Sequence, residues 1–570
     1  DRGENWTFAD NLPLAQFYHI RVDNAIPYNV MGGLQDNGSW RGPSQTWFKG
    51  GIRNMYWQRL SVGDGFDVVP DPLDNDYGYA MGQAGNLVRW HAPTGHLKKI
   101  KPVHPEGEYL RFNWNTGIAI NPHDQKTIYY GSQYLHKSSD YGDSWEIISP
   151  DLTTDDSEKQ KFLESGGLSY DVTGAEFHTT IITIDPSPVN KDVIWVGTDD
   201  GNVQVTQNGG QNWSNVINNI KGVPKNTWVT QINASSYNEG AAVVVFEDHR
   251  RDNWEPYVYQ TKDFGRNWTR LIDEDDVRGY VFCFAQDPVD PSLMFVGSEF
   301  GLYVSFDGGE IWNQWTNDIP TMPITDMVIH PRDHDLVIGT FGRAIWILDD
   351  IRPLREMSRN GAQNSLSQSI ELYPIPDAHL MFIGESIGYR QGKIGDALYI
   401  GENRPYGAML TYHIDKVNAD LKDFDAKVKI EILDNRKNVI RTFYENAKDG
   451  VSRTNWNLRI DATRSPQVKK PKKDVAPRSG FYAAPGTYSV KVSYDGNESN
   501  SKLKVIKDPR KHIDDESISA KWELIQTQNE LIKRATASVD EVRAIQSNLK
   551  LIKEILNTNE IVKEDSIFSS

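Results

Sequence analysis

Through the first 350 residues the chain is written in short runs that alternate apolar with polar positions or are filled with β-branched residues. Each run is bounded by Gly, Pro, Asn or Asp, the pattern of strands joined by tight turns. Residues 179–217 show the unit best: TTIITIDPSP, DVIWVGTDDG, NVQVTQNGG and NWSNVI read as four successive strands, A to D. Strand A ends in a similar turn seven times, at Val22-Asp23, Asp71-Pro72, Asn121-Pro122, Asp185-Pro186, Ile232-Asn233, Asp287-Pro288 and His330-Pro331. Seven B–C turns follow, around GLQDNGSW, MGQAGNL, YGSQYLH, VGTDDGN, VFEDHRR, VGSEFGL and IGTFGRA.

The C–D turn carries a box of the form S-x-D-x-G-x-x-W. It occurs at Ser138-Asp140-Gly142-Trp145, Thr206-Asn208-Gly210-Trp213, Thr261-Asp263-Gly265-Trp268 and Ser305-Asp307-Gly309-Trp312, with a partial copy at Asp1, Gly3 and Trp6. The acid or amide caps backbone N–H groups, the glycine takes a positive φ, and the tryptophan folds back under the turn. The seventh set stops after strand C at GRAIWILDD, and residues 1–8 offer a C–D turn and a D strand. The expectation is a mainly β chain: a seven-bladed β-propeller over 1–350 whose last blade is closed by the N-terminal strand, leaving no free sheet edge.

A linker is expected over 351–370, an Ig-like β-sandwich over 371–507, and a helical segment over 508–570. In the last, Ile518, Trp522, Ile525, Ile532, Val539, Val542, Ile545, Leu549, Ile552 and Leu556 recur every three or four residues. The spacing suits a long helix, or a helical hairpin split at a capping box, Ser538 to Glu541.

Composition narrows the functional classes. A net charge of −17 argues against nucleic acid, and the basic run at Lys469, Lys470, Lys472 and Lys473 is too local to reverse it. The single Cys283 lies in an apolar run, so it reads as a buried thiol and no internal disulfide is expected. With 17 Trp and 25 Tyr the chain has ample material for stacking surfaces. No run of 18 apolar residues marks a transmembrane helix. The chain starts inside a box, so a longer precursor is expected and a signal peptide is not visible.

The boxes, the runs TGAEFHTTIITIDPSP and DHRRDNWEPYVYQTKDFGRNW, and the stretches IGTFGRAIWILDDIRPL, NRPYGAMLTYHI and YAAPGTYSVKV carry a resemblance. Together they resemble a family of large bacterial exported proteins with sortilin-like repeats, often labelled glycosyl hydrolases of the BNR-repeat type. The resemblance implies a secreted, periplasmic or cell-surface location. It also implies an upstream propeller in the same precursor, a plan similar to that of two-propeller xyloglucanase-type enzymes.

B–C turns and D–A loops share one end of such a fold, and long loops at a rigid mouth are where a site belongs. Asp64 and Glu176, each just before a strand A, form the candidate catalytic acid pair, since glycoside hydrolysis needs two carboxylates across the bond. A hydrogen-bond clamp between blades is the other reading of such acids. Candidate ligand-binding residues are Asp36, Trp57, Arg111, Trp114, His178, Asp199, Glu247, His249, Arg250, Glu299 and Arg343. Trp57 and Trp114 suit either sugar stacking or capping of the channel, and Glu247 to Arg250 suit a loop ion-pair network better than a metal. No metal or cofactor is expected. Three functions stand open: a non-catalytic exported scaffold binding a peptide or glycan, a glycoside hydrolase working in a cleft with the upstream propeller, and a sialidase built on arginines 53, 111, 250, 278 and 343.

Overall fold

A computed structural model describes the chain apart from residues 1, 8, 10, 162–176, 386–398, 471–475 and 559–570. The chain divides into two compact units, one of residues 1–365 and 383–404, the other of 366–382 and 405–570.

The first unit holds six four-stranded antiparallel sheets and one three-stranded sheet among the described residues. Their A strands are Phe17–Val22, Gly65–Pro70, Ile118–Ile120, Ile181–Pro186, Trp228–Ala234, Val281–Gln286 and Ile324–Ile329. Each lies beside the A strand of the following sheet, and the last lies beside the first, a propeller-type arrangement. Every A strand is followed directly by its B and C partners, and in six of the seven sheets by a D strand, as the repeated turns predicted.

Two local features make this packing work. Six A strands slip register near their start, for instance between Val229 and Gln231 and between Val281 and Cys283. A bulge there sharpens the twist of the strand. In strand B, the glycine of VGT or VGS lets the next sheet come close. A Cβ on Gly197 would stand 2.5 Å from Val229 Cγ1, and one on Gly297 2.6 Å from Ile324 Cγ2. The layers between sheets are filled by apolar side chains; Trp195, Val203 and Val205 of the fourth sheet meet Val229, Val244 and Phe246 of the fifth.

The box turns form as the sequence predicts. In the third sheet Gly142, at φ 89°, donates its N–H to Ser138 Oγ at 2.8 Å, and Asp140 accepts from Ser144 N at 2.8 Å. Hydrogen bonds from the Ser144 hydroxyl and backbone hold the Asp140 carboxyl down at about 2. The tryptophans Trp145, Trp213 and Trp312 donate Nε1–H to Ile100, Ile148 and Leu271, the carbonyls at the end of the preceding sheet. In these three copies the box fastens sheet to sheet as well as turning the chain, whereas Trp268 donates to its own turn at Gly265 O and packs on Trp195 of the preceding sheet.

The N-terminal copy behaves differently. No strand forms over the described residues 2–16, and the seventh sheet keeps three strands, with one bridge from Gln16 to Phe341. Trp6 donates to its own turn, Gly3 O, and is 90% exposed, so this tryptophan does not fasten its turn to a neighbouring sheet as Trp145, Trp213 and Trp312 do.

The expected linker is structured. Helices α1 (Arg352–Asn360) and α2 (Ala362–Leu366) occupy it. In α1 the buried Arg355 grips the fully buried Asp287 with three charge-assisted hydrogen bonds of 2.7 to 2.9 Å. Residues 383–404, expected in the sandwich, return instead to the first unit: Asn403 Oδ1 accepts Thr46 N at 2.8 Å, and Arg404 pairs with Asp335 and Asp349.

The second unit has a five-stranded and a three-stranded sheet that share one apolar cluster, including Leu410, Tyr412, Ile430, Trp456 and Val490. Helix α3 (Asp515–Thr558) follows as one continuous helix of 44 residues. The capping box at Ser538 does not divide it. Asp540 is drawn to Arg464, and Thr536 donates to the Arg464 carbonyl, so the turn that the box would have broken is held helical.

Candidate functional site

The heads of the A strands and the B–C turns interlock at one end of the first unit. Asp64, 4% exposed, accepts the Asp36 N–H at 2.5 Å and the Gln83 side-chain amide at 3.0 Å, joining the first and second sheets. Asp199 works in the same way between the third and fourth. Fully buried, it accepts from Thr180 N at 2.8 Å, Thr180 Oγ1 at 2.5 Å and Asn113 Nδ2 at 2.9 Å. Burial, and then the neighbouring Asp200, push its carboxyl up to about 7. Arg111 completes this region, donating to Asp151 at 2.6 Å and to the Thr179 carbonyl at 3.2 Å. These carboxylates have their lone pairs committed to protein donors, which is the geometry of clamps.

The A strands bring together polar groups that alternate with apolar ones along them. Arg21 donates to Asp67 at 2.8 Å and to Asp326 at 3.1 Å. His19 lies 3.3 Å from Asp326 and 3.2 Å from Asn115. Burial works against the charges of Arg21 and His19, and the acids outweigh it, so both are shifted toward the protonated form. Four sheets are thus tied at the axis by one ion network.

A third cluster lies over the fifth and sixth sheets and combines aromatic faces with a carboxylate. His249 Nδ1 is 2.7 Å from Glu247 Oε1, and its ring stacks on Tyr280 with centroids 4.7 Å apart. Trp254 adds a third ring, 5.6 Å from Tyr280 and 6.1 Å from His249, and remains 48% exposed. Phe282 sits 4.7 Å from Tyr280. Arg250 pairs with Glu247 and lies 4.0 Å over the Trp228 ring, whose other neighbour is His178 at 6.2 Å. Burial lowers the affinity of His178 for a proton. Burial, then Glu247 and Glu299, raise the Tyr280 hydroxyl to about 12, so it stays a neutral donor. Glu299 is tied to the same wall by its backbone N–H, which donates to the Tyr280 carbonyl at 3.1 Å.

The structure therefore sorts the expected residues. Glu247, His249, Arg250, His178 and Glu299 come together around Tyr280 and Trp228. Asp36, Asp64, Asp199 and Arg111 are clamps. Trp114 packs into the core beside Phe66, and Trp57 covers Gly42, where a Cβ would meet its ring at 2.3 Å. Arg343 is exposed, on the seventh sheet's B–C turn. Glu176 lies outside the described residues. The arginines expected for a triad have separate partners: Arg111 takes Asp151, Arg250 takes Glu247, and Arg278 lies 4.1 Å over Phe300. Sequence reasoning missed Trp228, Trp254, Tyr280 and Phe282. For Trp228, Tyr280 and Phe282 the signal was an aromatic at the head of two adjoining A strands, in NTWVTQI and GYVFCF, while Trp254 ends the B–C turn segment DHRRDNW.

No protein-family model and no curated protein matches the chain. Among solved structures it is similar to the GH74 enzyme of Niastella koreensis, at 14% identity and a TM-score of 0.40 over 61% of this chain and 54% of that one. It is also similar to the GH74 xyloglucanase of Xanthomonas campestris, at 13% identity and a TM-score of 0.45 over 87% of each. The chain spans about half the length of the Niastella protein. At that distance no residue role and no reaction carries across.

Proposed function

We propose that this chain is an exported glycan-binding protein, glycoside-hydrolase-like in plan and built on a seven-bladed propeller, whose ligand lies across the wall formed by Trp254, His249 and Tyr280. The ring order of its seven sheets supports the blade count. The observation that carries the function is the half-exposed Trp254 face beside a buried, paired Glu247. The apolar face of a sugar ring stacks on such an indole, while the hydroxyls at its edge reach carboxylate and hydroxyl partners. The ring cluster costs little entropy to order, because each aromatic is already packed against the next.

Glycoside hydrolysis is the second reading, favoured by one observation: Glu247, paired with the His249 ring that stacks on Tyr280, and Glu299, whose N–H donates to the Tyr280 carbonyl, flank the same residue. Two acids beside one aromatic wall are the material of an acid pair. Asp64 has no part in this reading, since its oxygens are spent on Asp36 and Gln83.

The test is calorimetric binding and product release on a panel of plant, algal and host polysaccharides. Trp254→Ala is expected to weaken binding about tenfold or more, the worth of a lost stacking face. Binding left unchanged by Trp254→Ala and by Tyr280→Ala would sink the proposal. Sugar release lost in both Glu247→Gln and Glu299→Gln, with the fold intact, would establish the hydrolase.

A further inference from the structure

Helix α3 carries two apolar faces, and only one is used. Trp522, Ile525, Ile532 and Val539 are partly buried, and Asn529 accepts from Thr463 at 3.1 Å, so this face is seated within the second unit. Arg464 and Asp540 close the contact. Beyond Arg543 the helix stands clear: every residue from Ala544 to Ile555 is exposed. That overhang is about 18 Å of helix.

The overhang is not polar. Val542, Ile545, Leu549 and Ile552 are 54%, 58%, 59% and 46% exposed. They fall at the a and d positions of a seven-residue repeat; the same register puts Leu531 and Leu524, 58% and 70% exposed, at d, with Gln528, Ala535 and Ser538 at the core positions between them and Val542. A seven-residue repeat keeps its apolar stripe aligned only along a partner helix that supercoils with it.

We propose that this stripe is the seam of a homodimer, in which α3 of a second copy of the chain pairs with α3 of the first. Three features favour a second copy over another occupant. From Val542 to Ile552 the repeat is filled by Val and Leu at a and Ile at d, apolar side chains that interlock with their own copies across a helix pair. The flanking positions Glu541, Gln546, Asn548 and Lys553 set no like charges opposite each other in either orientation. The six stripe residues expose roughly 100 Å² each, so two helices bury on the order of 1,200 Å², the low end for a specific interface. The dimer is accordingly expected to be reversible, with about micromolar affinity.

Sedimentation of the full chain across a range of concentrations tests this. The expected result is a monomer–dimer equilibrium, with the dissociation constant raised at least about 100-fold in Ile545→Glu/Leu549→Glu and the helical circular dichroism unchanged. A chain that stays monomeric, whether or not it partitions onto lipid vesicles, overturns the proposal, as does a dimer undiminished in the double variant. A second measurement does not depend on the glutamates. Cys283 is buried, so in Ile545→Cys/Leu549→Cys a chain-to-chain disulfide reports the stripe alone; in the parallel pair, the arrangement that sets all six stripe residues on their own copies, each cysteine meets its counterpart. A covalent dimer on mild oxidation is expected, and its absence overturns the seam.

Discussion

At the scale of single residues, carboxylates that a sequence offers as catalysts divide by what occupies their lone pairs. Asp199 is held by three donors in a site where its charge is poorly solvated, and its carboxyl titrates near 7. The unfolded chain loses that proton near 4, so between about 4 and about 7 the folded state binds more protons. Stability therefore falls as pH rises through that window, by a few kcal/mol at most, and levels off above it. Asp199→Asn mimics the protonated acid and is expected to flatten this component of the curve; denaturant melts of both proteins at pH 4.5 and pH 7.5 check it. Asp64→Ala is expected to cost about 1–3 kcal/mol through the donors it leaves without an acceptor, read as a lower melting temperature. Clamps and catalysts look alike in sequence because both are acids beside a glycine in a loop. What separates them is the direction of the neighbouring donors, among them the Asp36 N–H and the Asn113 amide contributed by an adjoining sheet.

Elements were easier to read than sites. Alternation and turn residues located all seven A strands, because each strand must put one face into an apolar layer and stop at a turn that Asp, Asn or Pro can make. The glycine of strand B was visible as a recurring letter, yet its role needs the next sheet in place. Gly197→Ala is expected to destabilise by about 1–3 kcal/mol, since its methyl would overlap Val229. Reversible unfolding would show whether the cost is there. The closing N-terminal strand does not form among the described residues for a related reason: the box supplies a turn, but its tryptophan must also pack on a neighbouring sheet, as Trp268 does on Trp195, and Trp6 is 90% exposed. The linker was misread because the polar surface of α1 hides one charge. Arg355 is 3% exposed, and Arg355→Met is expected to cost about 3–5 kcal/mol by leaving Asp287 buried without its partner.

The molecule as a whole has a connectivity that the order of its elements conceals. The chain leaves the first unit after residue 365, comes back for residues 383–404, and leaves again. On that return Arg404 enters between Asp335 and Asp349, at 2.5 and 2.7 Å. The Asp335 carboxyl, raised to about 6 by burial, has Arg404 as its main opposing charge. A single cut therefore cannot give two self-sufficient halves: a fragment ending at residue 365 keeps the acids and loses the cation that neutralises them. Proteolysis between the units should then release pieces that part only on denaturation, and evolution could not have joined or shed the second unit by simple end-to-end fusion.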